Sequence, residues 1–347
     1  MNPGRILVAS SILFLSIVLF SGCREKPKPI VGRAYRGLLF GKEYTIDVVG
    51  DSSDYQAQFD SIANVFQQLF DVNNPRSLIA QYNQFQNSKR SLVFIDSTLV
   101  FGLVYDIARD LHNHTLEYYD PTVMPLKREW MVAKMSGIDI PNLDSLYEFV
   151  GFDGVKVDLF ETTDSSGTRI SNLRKADNRI ELDFSDLAQA AALDHIGDFL
   201  ISKNVAQFNI TYGRDVITHG MEVDELNIMP MGVTADTSDL KIRLINSAFS
   251  YTNTQDKVGL VDPTYGYPVD NEMAYVGVIA PRLAEAKIFA QAFLIMGKEK
   301  AVEYYTGNED SKIHSYMFYK EGDVLTSAST NGFDNAIIGT NNEQVAE

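Results

Sequence analysis

At 347 residues, with 45% hydrophobic and 22% charged side chains, the chain is long enough to bury one large or two small globular cores. A formal net charge of −16 argues against nucleic acid or anionic lipid as a partner, because phosphate recognition needs clustered lysine and arginine. The lone cysteine, Cys23, excludes an internal disulfide.

At the N-terminus Arg5 precedes an apolar run from Ile6 to Phe20, followed by Ser21, Gly22 and Cys23. This run suits the core of a signal peptide better than the roughly 20 residues of a spanning helix. Small residues directly before a cysteine are similar to a bacterial lipobox. Residues 1–22 are therefore expected to be a lipoprotein signal peptide, with Cys23 as the lipidated N-terminus of the mature chain. That arrangement places the protein in the cell envelope, periplasm-facing or on the outer membrane, and held to a membrane through its lipid alone. Residues 23–30, charged and containing proline, read as a tether.

Arg33 to Val49 is alternating and β-branched enough for a strand or hairpin. Tyr55 to Phe70 follows with helical spacing through Phe59, Ile62, Ala63, Phe66 and Leu69, and Leu99 to His112 has the same character. Between Tyr118 and Trp130 stands YYDPTVMPLKREW, in which Asp120 before Pro121 can fix a turn through its own backbone. A Ser and Gly turn at Ser165 to Gly167 and a strand at Arg179 to Phe184 come next. Ser185 or Asp186 is placed to cap the helix that begins in LDFSDLAQAAALDHIGDFL.

The stretch from Asp256 to Gly297 reads as turn, strand, turn and helix. Asp262 to Pro268 is a tight Pro and Gly loop, and Ala274 to Ala280 is a short apolar strand. After Pro281, apolar residues at helical spacing run to Gly297, a natural stop, and place Lys287 and Gln291 one turn apart. Met317 to Gly332 supplies closing strands before a polar tail from Asn341. The five histidines suggest no metal centre; His112 and His114, two apart on a helix, diverge.

Several of these segments together resemble the ApbE family, the FAD:protein FMN transferases. The family's Asp-Pro-x-Thr-Gly-x-Pro loop is matched at Asp262, Pro263, Gly266 and Pro268. Its Phe-Asp-Pro-Thr-Val-x-Pro-Leu motif is matched by Tyr119 to Leu126. Its Leu-Asp-Phe-Ser motif is matched by Leu182 to Ser185, and of its Asn-Ile-Gly-Gly-Asp element Gly213 and Asp215 are kept, with Thr211 and Arg214 in place of the Asn and the second Gly. The resemblance covers about nine tenths of the chain. It implies a single α+β domain, ApbE-like and related to the T-fold, over residues 31–340, with residues 341–347 as the tail.

The resemblance also implies flavin contacts at Phe40, Asn73, Tyr118, Tyr119, Asp120, Asp183, Gln189 and Gly259. Family metal positions fall on Asp186, Lys287 and Gln291, with FAD and magnesium as the implied cofactors and an acceptor flavoprotein as the implied partner. Here the chain departs from the family pattern. The family's histidine is Gly259, its flavin-contacting lysine is Gln189, and its metal-binding Asp and Thr are Lys287 and Gln291. Magnesium requires hard oxygen ligands, which an ammonium is not. Glu285 lies about 200° around the helix from Lys287 and is expected to face elsewhere. A Lys287 ammonium paired with Asp186, standing in for the metal, is the expected alternative.

Two functions are carried forward. One is the family's magnesium-dependent transfer of FMN from FAD to a Ser or Thr, with activity reduced or lost. The other is a non-catalytic flavin- or partner-binding lipoprotein on the same scaffold, including a form whose pocket is closed by Lys287 and Asp186.

Overall fold

The computed structural model describes residues 32–84, 91–137, 143, 145–228, 240–253, 259–308, 311–322 and 324–338. The expected signal peptide, Cys23, the tether and the polar tail lie outside the described residues.

The alternating segment after the tether forms the expected hairpin: β1 (Gly32–Leu39) pairs antiparallel with β2 (Lys42–Val49). Phe40 and Gly41 make its two-residue turn, with φ of 48° and 77°, the left-handed geometry that a tight hairpin requires. The helix α1 (Gln56–Phe70) follows and buries Phe59, Ala63, Phe66 and Phe70, the stripe set by its apolar spacing. After α2 (Leu78–Gln84) and β3 (Ser91–Phe94), α3 (Val100–His114) buries Phe101, Val104, Ala108 and Leu111 in the same core.

Next come α4 (Met124–Ser136), β4 (Val157–Thr163) and β5 (Arg169–Lys175), the last two joined by the expected turn at Ser165 to Gly167. A small antiparallel sheet has the order β3-β5-β4. The long helix α5 (Ser185–Ser202) leads into β6 (Gln207–Tyr212) and β7 (Asp215–His219). β8 (Glu222–Asn227), β9 (Lys241–Ile245) and β10 (Ala248–Asn253) precede β11 (Met273–Ala280). The chain then forms α6 (Leu283–Thr306), β12 (His314–Glu321), β13 (Val324–Ser329), α7 (Asn331–Asp334) and β14 (Ile337–Ile338).

An eight-stranded antiparallel sheet in the order β1-β2-β6-β7-β10-β11-β12-β13 is the frame. Every residue of β11 is buried, which explains why its sequence is apolar throughout rather than alternating. Met273, Val276, Val278 and Ala280 join the core shared with α5 and α6, whereas Ala274, Tyr275 and Ile279 join a second core under β9 and α7. A register shift between Met273 and Tyr275 lets two neighbouring residues face the second core.

Three local expectations are corrected. Arg179 to Phe184 pairs with no strand: Arg179 belongs to a turn, and residues 180–184 take no regular secondary structure. Ile180, Glu181, Leu182 and Phe184 are all buried, without the alternation of a strand, and its backbone is satisfied by a side chain and a loop. The Asn83 amide donates to the Leu182 carbonyl and accepts from the Leu182 N–H, both at 2.9 Å, and the Asp183 N–H donates to the Pro121 carbonyl at 2.8 Å.

Neither Ser185 nor Asp186 caps α5; the Asp183 carboxylate instead accepts the Ser185 N–H at 2.9 Å. Gly297 breaks α6 without ending it. Its φ of 77° and ψ of 171° interrupt the helix, which resumes to Thr306. The two ends are bonded from the loop before β11: the Asn271 amide donates to the Leu294 and Ile295 carbonyls at 2.8 and 3.1 Å, and Glu272 accepts the Lys298 N–H at 2.7 Å.

Candidate functional site

The sheet brings β7 and β10 under the first half of α6, and α4 and α5 close the space from the side. The result is a cleft of about 540 Å³. Its charged lining comes from separate elements: Lys42 at the start of β2, Lys127 on α4 and Asp186 in the first turn of α5. Arg214 stands in the β6–β7 turn, Asp215 opens β7, and Lys287 projects from α6. Gly213, at φ 62°, makes the tight turn that brings Arg214 and Asp215 to the rim. A smaller recess of about 50 Å³ shares Lys127, Asp186, Leu260 and Gln291 with the cleft and adds Tyr118, Tyr119, Asp120 and Asp183.

The Lys287 ammonium donates to Asp215 Oδ2 at 2.8 Å, and the Ser250 hydroxyl donates to Asp215 Oδ1 at 2.6 Å. The pair is enclosed, with side-chain exposures of 14% for Lys287 and 2% for Asp215. Burial by itself lowers the pKa of Lys287, but Asp215 and Asp186 together outweigh it and hold the group above the ordinary lysine value. Gln291, one turn further along α6, donates its amide to Asp186 Oδ2 at 3.0 Å. Burial likewise acts to raise Asp186. The combined pull of Lys287, the Gln291 hydrogen bond, Lys127 and Lys42 keeps the carboxyl below the usual range, so it is ionised.

The expected pairing of Lys287 with Asp186 is thereby corrected. The hydrogen-bonded partner of Lys287 is Asp215, because β7 runs directly beneath α6, and Asp186 meets Gln291 instead. A pocket closed by Lys287 and Asp186 is not found either, since the cleft between them stays open. Glu285 does face elsewhere: it accepts the Arg282 N–H at 3.3 Å in a capping box at the start of its own helix.

Of the flavin positions implied by resemblance, Tyr118, Tyr119, Asp120, Asp183 and Gly259 line the cleft or the recess. Tyr118 is bonded through its hydroxyl to the Lys300 ammonium, which also lies over its ring. The Tyr119 hydroxyl is buried without a hydrogen-bond partner among the described residues, and burial raises its pKa well above the usual phenol value. Asp120 organises its own turn: it accepts from the N–H and hydroxyl of Thr122 at 2.7 and 2.5 Å and from the Phe152 N–H at 3.2 Å. A side chain added at Gly259 meets nothing within 4 Å among the described residues, so there the position has room for one.

Phe40, Asn73 and Gln189 are not brought to the site. Phe40 is held in the hairpin turn, its N–H donating to Gln67 at 3.0 Å, and packs on the main core. Asn73 is exposed in the turn after α1, where its N–H donates to Asp71. Gln189 is half-buried on α5, with its side-chain oxygen unpartnered among the described residues and lining neither recess. Sequence reasoning missed Lys127, although it directly follows the motif that runs from Tyr119 to Leu126, and it missed Asp215 as the partner of Lys287.

A divalent cation is a poor match to these donors. The two cleft carboxylates, Asp186 and Asp215, already accept hydrogen bonds from an amide and an ammonium, and the ammonium repels a second cation. Among the described residues no group of three or more His, Cys, Asp or Glu converges on one point.

The pattern described as the ApbE family matches residues 40–317 of the chain. The FAD:protein FMN transferase of Escherichia coli K12 is 21% identical over 95% of this chain and 97% of its own length. That of Vibrio cholerae serotype O1 is 22% identical over 93% and 97%. Among solved structures, the flavin transferase ApbE from Vibrio cholerae superposes with a TM-score of 0.68 at 20% identity, over 89% of this chain and all of that one. The apo flavinyl transferase ApbE of Pseudomonas stutzeri gives 0.69 at 18% identity, over 90% and 98%.

Proposed function

The chain belongs to the ApbE family, and on that premise we propose that its cleft binds FAD and that it acts as an FAD:protein FMN transferase of reduced turnover. In the proposed reaction an acceptor Ser or Thr oxygen attacks the FMN phosphorus, the diphosphate P–O bond breaks, AMP leaves and the hydroxyl proton passes to a base. The observation that carries the reading is the charge of the cleft. Four basic side chains and two carboxylates surround it in a chain of net charge −16, beside a recess edged by Tyr118 and Tyr119.

Reduced turnover is argued from two positions. Gly259 offers no side chain to take a proton, and Lys287 occupies one of the positions that the family resemblance assigns to a metal ligand. The test is to incubate the full-length chain with FAD and a Ser- or Thr-bearing acceptor protein, following AMP release and the FMN mass increment on the acceptor. Slow AMP release, raised about 100-fold by Gly259→His, is the expected result. FAD binding with no AMP from either protein would select the non-catalytic flavin-binding reading.

Lipid attachment at Cys23 is proposed with the same function, placing the cleft outside the cytoplasmic membrane. Cys23→Ala is expected to move the protein from the membrane to the soluble envelope fraction, and unchanged membrane retention would count against the anchor.

A further inference from the structure

We propose that fixed side-chain cations take the part of a divalent metal in this cleft: Lys287, with Lys42 and Lys127, neutralises the diphosphate of the bound dinucleotide, and binding is independent of magnesium. The inference rests on the reading of the cleft as an FAD site and deepens it.

Three observations support it. First, the places where an ion would find oxygen are taken by nitrogen. Lys287 holds Asp215 at 2.8 Å and Gln291 holds Asp186 at 3.0 Å, so a metal must displace one donor and sit beside an ammonium. Second, Lys42 and Lys127 line the same cleft with no hydrogen bond or ion-pair partner among the described residues. Unpaired ammonium groups converging from two elements are suited to an incoming anion. Third, three lysines, Lys42, Lys127 and Lys287, stand in the lining against two carboxylates, Asp186 and Asp215. A diphosphate diester carries one negative charge on each phosphate, and the Lys42 and Lys127 ammoniums can meet one each.

Lys287 is also fixed in position. Its bond to a buried carboxylate, itself held by Ser250, removes most of the side-chain freedom that a lysine otherwise loses on meeting a phosphate. A mobile metal ion is replaced by a cation already in place.

The experiment is a calorimetric titration of the full-length chain with FAD in EDTA and in excess magnesium, repeated on Lys42→Ala, Lys127→Ala and Lys287→Gln, with riboflavin as the phosphate-free probe. The expected result is the same Kd in both buffers. The Lys42 and Lys127 variants should each bind FAD about tenfold more weakly, while riboflavin affinity stays the same in these two variants. Lys42 and Lys127 make no internal polar contact, so those two arms decide the matter even if Lys287→Gln fails to fold. Magnesium tightening FAD tenfold or more, or lysine variants binding as tightly as the parent, overturns the inference and leaves the FAD reading standing. No FAD binding in either buffer overturns the FAD reading and this inference with it.

Discussion

Lys287 on α6 and Asp215 on β7 join the roof and the floor of the cleft through one 2.8 Å contact. Because Asp215 is almost fully buried, deleting the ammonium leaves a carboxylate without its counter-charge in a poorly solvated place. Lys287→Ala is expected to lower unfolding free energy by about 3 kcal/mol, read from urea denaturation. A loss below about 1 kcal/mol would mean that water reaches the pair freely.

Reversing the charge at this position should change what the cleft binds. In the double variant Lys287→Asp, Gln291→Thr, the new carboxylate stands beside Asp186 and Asp215 with a hydroxyl one turn away. Oxygen donors replace nitrogen donors, and the repelling ammonium is gone. Manganese titration by calorimetry or paramagnetic resonance should detect a site in the variant and none in the parent protein. Equal behaviour of the two would show that these side chains do not point at a common centre.

Asn83 holds the segment that leads into α5. Its side chain satisfies both the N–H and the carbonyl of Leu182, so Asn83→Ala leaves two backbone groups unpaired in a buried stretch. A loss of about 2 kcal/mol is expected in thermal or urea unfolding. Asp183 and Asp186 follow directly in sequence, so FAD affinity should fall as well. The single tryptophan, Trp130 on α4, provides the optical readout for that binding.

Lys175 gives the protein an alkaline signature. Burial pushes its pKa down to about 8, against the opposing pull of Glu181 and Asp177. Its ammonium donates to the Tyr82 and Ile180 carbonyls at 3.0 and 3.1 Å. The unfolded chain, in which this lysine titrates near the ordinary lysine value of 10.5, binds more protons than the folded chain between about pH 8 and 10.5. This group's contribution to stability therefore rises with pH through that window. Lys175→Met should flatten the rise in a pH series of melts; an unchanged slope would assign the pH dependence to other groups.

Much of the architecture was legible because burial leaves periodic marks. The hairpin at Arg33 to Val49, the stripe on α1 and the uniformly apolar β11 each follow from which faces are covered. The same signal misled at Arg179 to Phe184, where Ile180, Leu182 and Phe184 are buried without a neighbouring strand because Asn83 supplies the pairing. The site was legible in part. Lys287 and Gln291 share a helix face, and local spacing is enough to see that. The partnership of Lys287 with Asp215 depends on the order of strands in the sheet, which no local spacing encodes. Phe40 and Asn73 were placed at the site by resemblance alone, and both belong to turns whose own side chains line neither the cleft nor the recess.

The break at Gly297 separates the rotational phase of the two halves of α6. Residues 283–296 set the angle at which Lys287 and Gln291 meet the cleft, and Asn271 and Glu272 anchor the junction from outside the helix. Adding one residue after Gly297 would turn an unbroken helix by about 100° beyond that point. Here the distal half is instead tied in its own right, by Lys300 to Tyr118 and by Tyr304 and Tyr305 packed on Phe289 and Phe293, so the break lets each half meet its own partners without one continuous helix having to serve both.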